Sequence, residues 1–276
     1  MQESFLTHRS FLYLKVAVVL SLVSGALYLA ERPLTPRGGD TFAGYILGTA
    51  GALLIAWLTA LGVRKRRYGG GGLPVKDWLS AHVYLGVALV VVATLHTGFQ
   101  FGWNVHTAAY GLMLATIGSG VIGVVMYQRY PGVLIDNQRG EAIDTLLQSI
   151  ADIDGETRGI VGGLDNVVAR AVMVGIGQTR IGGSLGDQLA GARRAGAAWR
   201  ALDEVRKLSA GVGVEHARQA EQLVRLLRQK CELVDRAQEY VRVRALLRIW
   251  LYAHVPLSLA LVVALIGHVA SVLFYR

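Results

Sequence analysis

Four of the seven histidines in this chain lie inside stretches where an imidazole is costly. The segment 77–100, DWLSAHVYLGVALVVVATLHTGFQ, carries His82 and His96, and the segment 249–275, IWLYAHVPLSLALVVALIGHVASVLFY, carries His254 and His268. Both pairs are fourteen residues apart. In an α-helix that spacing is nearly four turns, so each pair shares one face, ~21 Å apart along the axis. A hydrocarbon core is ~30 Å thick, so both members of a pair fit within it. Ionisable groups there are paired or functional. An imidazole can ligate a metal, relay a proton or hydrogen-bond a neighbouring helix.

The composition agrees with a membrane setting: 53% of residues are hydrophobic and only 17% charged. The formal charge of +9 would suit nucleic acid. A tight cluster at Arg64, Lys65, Arg66 and Arg67 directly after an apolar span instead reads as a topology signal. We expect a multi-pass protein of the cell inner (cytoplasmic) membrane, with that basic loop in the cytoplasm and no nucleic-acid partner. The single cysteine, Cys231, excludes an intramolecular disulfide, a cysteine zinc site, an iron–sulfur cluster and covalent C-x-x-C-H haem.

The predicted fold class is all-α integral membrane, with five transmembrane helices. Spans are expected at 11–30, 42–63, 77–100, 107–128 and from 248 onward. The first is read as a retained helix rather than a signal peptide, since no A-x-A cleavage site follows its apolar run. The second and fourth spans are rich in glycine, including Gly48, Gly62, Gly111 and Gly118, which permits close approach of a helix or a flat ligand. The domain plan is membrane helices in 1–128, a cytoplasmic helical insertion in 129–247, and a fifth membrane helix in 248–276. Between Arg129 and Arg248 stand 18 Lys/Arg and 15 Asp/Glu, without an apolar run long enough to span.

Within the insertion, Ala220, Leu223, Leu227, Val234 and Val241 recur at near-heptad intervals. They predict a long amphipathic helix running into the fifth span, paired with an earlier one near 186–209. The glycine-rich stretch before these has no clear pattern. Its Gly175-Ile-Gly177 lacks the third glycine of a dinucleotide fingerprint, and no strand–helix alternation surrounds it.

Helices three and five each follow an even number of crossings, so they run parallel. This puts His82 level with His254, and His96 level with His268. Each pair can offer two neutral imidazoles to one metal from opposite sides. Two b-type haems, non-covalent and bis-histidine, fit this donor set between helices three and five, with apolar walls for the porphyrins. The iron ligands would be His82 with His254 at the inner site and His96 with His268 at the outer. Gly48, Gly62, Gly111 and Gly118 are the candidate packing positions for porphyrin edges. A proton or metal-ion pathway and a structural hydrogen-bonding role are the alternatives. One tetrahedral zinc site cannot gather all four, because the pairs are ~21 Å apart. His106 is read as an interfacial histidine or a haem-edge or quinone contact, and His8 and His216 as solvated. Arg64, Arg66, Arg67, Lys76 and Arg248 are candidates to pair with propionates.

Two parallel helices each bearing H-x13-H resemble the haem core of cytochrome b in quinol-oxidising complexes. They are also similar to the four-histidine scheme of transmembrane ferric reductases and NADPH oxidases. The resemblance covers helices two to five, a little under half of the chain, and implies that His82, His96, His254 and His268 are axial ligands. No flavin or nicotinamide domain is expected after the fifth helix.

The reading is therefore an electron-transfer subunit rather than a complete oxidoreductase. It would carry electrons between a quinone or cytoplasmic donor and an extracytoplasmic partner, such as a c-type cytochrome or an iron–sulfur protein, within a larger complex. The alternatives are a stand-alone quinol dehydrogenase or ferric reductase, and a histidine-dependent proton or metal transporter.

Overall fold

The computed structural model describes residues 5–31, 38–66, 74–130, 141–163, 165–190, 196–209 and 216–274. Arg67 and the glycine run after it lie outside the described residues, as do the side chains of Arg64, Lys65 and Arg66. The described structure is helical, and no strand occurs among these residues. It divides into two compact units, Met1–Val125 with Trp250–Arg276, and Met126–Ile249.

The first unit is built from α1 (His8–Ala30), α2 (Phe42–Arg66), α3 (Val75–Thr97), α4 (Val105–Arg129) and the C-terminal part of a long helix, Ala217–Phe274. All five helices are long and apolar enough to cross a membrane, and the chain is a multi-pass membrane protein. Their outward faces are apolar rather than polar: Leu22, Leu53, Leu259, Val263 and Ile266 are each more than half exposed. A helix apolar on every side belongs in lipid or in a core.

Short polar devices set where the spans begin and end. The α2 N-terminus is capped by the Thr41 hydroxyl, which accepts from Gly44 N at 3.1 Å, and by the Glu31 carboxylate, which accepts from Ala43 N at 3.0 Å. A carboxylate there also meets the positive end of the helix dipole. Gly98, at φ 56°, ends α3 in the left-handed conformation with its N–H on Leu95 O, the usual glycine C-terminal arrangement. At the start of α4 the Asn104 side chain accepts from Thr107 N at 2.9 Å, and Thr107 Oγ1 accepts from Gly102 N at 3.1 Å. The reciprocal cap fixes the first turn of α4, which contains His106.

Helix α3 packs against both α1 and α2. At its N-terminal end Asp77 is fully buried. Arg9 reaches this carboxylate with two nitrogens, Nε at 2.9 Å and Nη2 at 3.3 Å, Tyr13 Oη donates to it at 3.1 Å, and His8 Nε2 lies 3.2 Å away. His8 is thus packed against a buried carboxylate, where the sequence suggested a solvated residue. To make these contacts, Arg9, Ser10 and Phe11 all take positive φ. Left-handed backbone costs ~1–2 kcal/mol per non-glycine residue. The charge-assisted contacts to Asp77 oppose that cost.

In the second unit α5 (Glu141–Val161), α6 (Asn166–Gln178), α7 (Leu185–Ala190) and α8 (Ala197–Ser209) join the N-terminal part of α9 (Ala217–Phe274). The middle of the glycine-rich stretch without a clear pattern forms α6. Asp165 caps it by accepting from Val167 N, and Val168, Ala171, Val172 and Gly175 make its buried stripe. Val168, Ala171 and Val172 pack with Val161, Val205, Leu223 and Leu227. The partner foreseen near 186–209 is two shorter helices, α7 and α8. The α9 seam keeps the expected Ala220, Leu223, Leu227 and Val234, but also buries Lys230. Lys230 Nζ lies 2.7 Å from Asp154 Oδ1 on α5, with side chains 2% and 15% exposed.

Removing one partner of such a pair leaves a buried charge uncompensated, at a cost of ~3–5 kcal/mol. Lys230→Met should therefore lower the denaturation midpoint of the detergent-solubilised protein markedly. Adding Asp154→Leu to it should recover most of the loss, and circular dichroism during heating reads both.

Candidate functional site: two histidine-lined cavities

Three of the four membrane histidines are held by hydrogen bonds to neighbouring helices. His96 Nδ1 is 2.7 Å from Gly44 O on α2, and His82 Nδ1 is 3.1 Å from Leu58 O on the same helix. A carbonyl only accepts, so in both rings Nδ1 carries the proton and Nε2 is the basic nitrogen. His254 Nδ1 is 2.7 Å from Ser119 Oγ on α4. The Ser119 hydroxyl already donates to Thr116 O at 2.7 Å, so His254 Nδ1 must be the donor to Ser119. Three rings thus adopt one tautomer, with Nε2 as the nitrogen able to bind a metal. Fixing Nδ1 in this way is how metal-ligating histidines are oriented.

Among the described residues, two cavities are lined by these histidines. The larger, about 820 Å³, is lined by His96, His106 and His268, with Gly39, Gly48 and Gly51 of the α2 side and Tyr110 of α4 among the walls. The smaller, about 180 Å³, is lined by His82 and His254, with Gly86 and Gly120. Ile55, Leu89, Met113 and Leu261 line both. These four, with Leu58, form the buried apolar cluster of the membrane unit, so the wall between the two histidine sites is its core.

Glycine at 48 has a specific cause. A Cβ there would stand 2.6 Å from His96 Cε1 and 2.9 Å from its Nδ1, so only glycine leaves room for the ring at its hydrogen-bonding position. Gly120 faces His254, and Gly123 makes room for the Trp250 ring. Trp250 stacks on His254 at 5.2 Å and 24°, and its Nε1 donates to Ser119 O at 2.7 Å. The other expected packing glycines are placed elsewhere. Gly62, Gly111 and Gly118 are exposed, line neither cavity, and would present a Cβ to nothing within 4 Å. Helix α4 turns Tyr110, Met113, Thr116, Ile117 and Gly120 inward, and Gly111 and Gly118 each stand one residue past an inward position, about 100° around the helix. Gly62 sits a turn beyond Leu58, past the end of the small cavity.

His106 enters the site from the first turn of α4. Its ring centroid is 5.2 Å from that of His96 and 4.7 Å from that of His268, while His96 and His268 are 6.1 Å apart. One nitrogen from each of the three lies within 4.8 Å of the other two. The sequence placed His106 at the outer start of the fourth helix and left an interfacial residue and a haem-edge or quinone contact open; the structure brings it into the cavity. The Asn104-x-x-Thr107 cap places residue 106 inside the helix. Of the cations considered for propionates, Lys76 and Arg248 line neither cavity, and the side chains of Arg64, Arg66 and Arg67 lie outside the described residues. Helix α9 continues through Pro256, whose missing N–H frees the carbonyl of Tyr252 next to His254, and Ser258 Oγ donates to His254 O at 2.8 Å.

Compared with known proteins, the chain matches no family model, no curated protein and no solved structure.

Gly48→Ala should push the His96 ring off Gly44 and destabilise the protein by about 1–3 kcal/mol, the usual cost of overpacking. Gly111→Ala, facing open space, should leave stability unchanged or raised. Thermal unfolding of the two variants in the same detergent tests the contrast.

Proposed function

We propose that this protein is a di-haem b-type cytochrome subunit that carries electrons across the membrane. One observation supports it above the others: two histidine pairs, each drawn from α3 and α9, converge on separate cavities, and at three of the four rings the partner of Nδ1 leaves Nε2 as the ligating nitrogen. His96 and His268 would hold iron at one site, and His82 and His254 at the other. Bound haem would supply one-electron redox chemistry, while the chain sets ligation, burial and orientation.

The cavities differ in fit. Ligand pockets run ~300–1,000 Å³. The His96 cavity, at about 820 Å³, falls in that range, and its walls are aliphatic and glycyl around a few polar groups. The His82 cavity, at about 180 Å³, is narrower than a macrocycle needs, and its walls must part on loading.

The orientation follows from the basic cluster at 64–67, which puts the His82 end toward the cytoplasm of a bacterial inner membrane. Electrons would pass between a quinone or cytoplasmic donor and an extracytoplasmic c-type cytochrome or iron–sulfur protein, with other subunits completing the complex. A second reading has its own support: three imidazoles with nitrogens within 4.8 Å also suit a transition-metal ion, and with it histidine-dependent metal or proton movement.

A pyridine haemochrome assay on protein purified in detergent decides between them. The cytochrome reading expects two b-type haems per chain and a b-type band in the reduced-minus-oxidised spectrum. Replacing His82 or His96 by alanine should lower the content to one. Protein without haem that keeps a stoichiometric transition metal would overturn the reading in favour of the second.

A further inference from the structure

The two sites differ in how many imidazoles they hold. The small cavity has two, His82 and His254, and the large cavity has three. An iron in a porphyrin takes two axial ligands, so the large cavity holds one imidazole more than haem ligation uses. The three rings are also held unequally. His96 is fixed by its 2.7 Å bond to Gly44 O and by the glycines at 39 and 48, which lie against its ring. His106 and His268 come from different helices, face His96, and are closer to each other than either is to it.

We propose that His106 is an interchangeable axial ligand: it and His268 compete for the position opposite His96. The inference rests on the haem reading above and deepens it. With a second imidazole at hand, the site can lose His268 and keep its haem. It can also release one imidazole to admit a small external ligand while the other stays close enough to return. Among the described residues lining the small cavity there is no third imidazole, and beyond its two histidines the soft donor there is the Met113 sulfur. The two haems would then differ in kind, one permanently closed and the other exchangeable. His106 reaches the site from the capped first turn of α4, so the device depends on the Asn104 and Thr107 cap as well as on the ring itself.

The test uses the full chain in detergent, with haem per chain and low-temperature electron paramagnetic resonance as readouts. Alanine at 268 is expected to keep two haems and two low-spin ferric signals, one of them shifted. The double variant H106Q/H268A should lose one low-spin signal, and H254A should lose one without help from any other residue. H106Q alone should keep both signals, which shows that it folds. If H268A already shows the loss expected of the double variant, His106 is not a ligand and the inference fails, while two haems in the parent protein leave the cytochrome reading standing. A parent protein without haem removes both.

Discussion

An imidazole buried among apolar helices must have its ring N–H satisfied, because no water is there to do it. Much of the membrane unit follows from that constraint. The acceptors for His82 and His96 are backbone carbonyls of α2, at Leu58 and Gly44, and the acceptor for His254 is a serine of α4 whose own proton goes to Thr116 O. Helices α2 and α4 carry none of the four paired histidines, yet they set the Nδ1–H tautomer of three of them. The glycine at 48 serves the same end, since a methyl group would displace the His96 ring from its carbonyl. The apolar wall of Ile55, Leu89, Met113 and Leu261 then keeps the two sites separate.

A second polar knot stands at the N-terminal end of α3. Asp77 is buried under Arg9, Tyr13 and His8, and three consecutive residues accept left-handed backbone to reach it. The Tyr84 hydroxyl donates to Leu6 O at 2.9 Å and ties the same segment further along α3. These bonds fix the start of the helix that carries His82, one turn beyond the Trp57–Trp78 stack at 4.7 Å. The helix bearing two candidate ligands is therefore braced on the α1 side by a carboxylate and on the α2 side by aromatic stacking and imidazole bonds.

Length and hydropathy alone reveal the five spans, because lipid demands apolar residues on every face of a helix and leaves little ambiguity. The fourteen-residue spacing likewise exposes the four paired histidines. Other features depended on distances that no pattern encodes. His106 is legible as a residue at the helix start, but its closeness to His96 and His268 is not. Gly62, Gly111 and Gly118 look equivalent to Gly48, yet register around the helix separates them. Lys230 falls on the apolar seam of α9, but a charged residue is normally assigned to the solvent face until Asp154 is seen opposite it. The α6 stripe of Val168, Ala171, Val172 and Gly175 was readable by its spacing and was obscured by the glycines around it.

The central claim is that the two histidine pairs make two separate bis-imidazole iron sites rather than one cluster. Its most direct measurement is the magnetic coupling between the two ferric centres in the oxidised protein, which reports their separation. The account predicts two low-spin centres ~21 Å apart, the rise over fourteen helical residues. A single centre, or none, would contradict it.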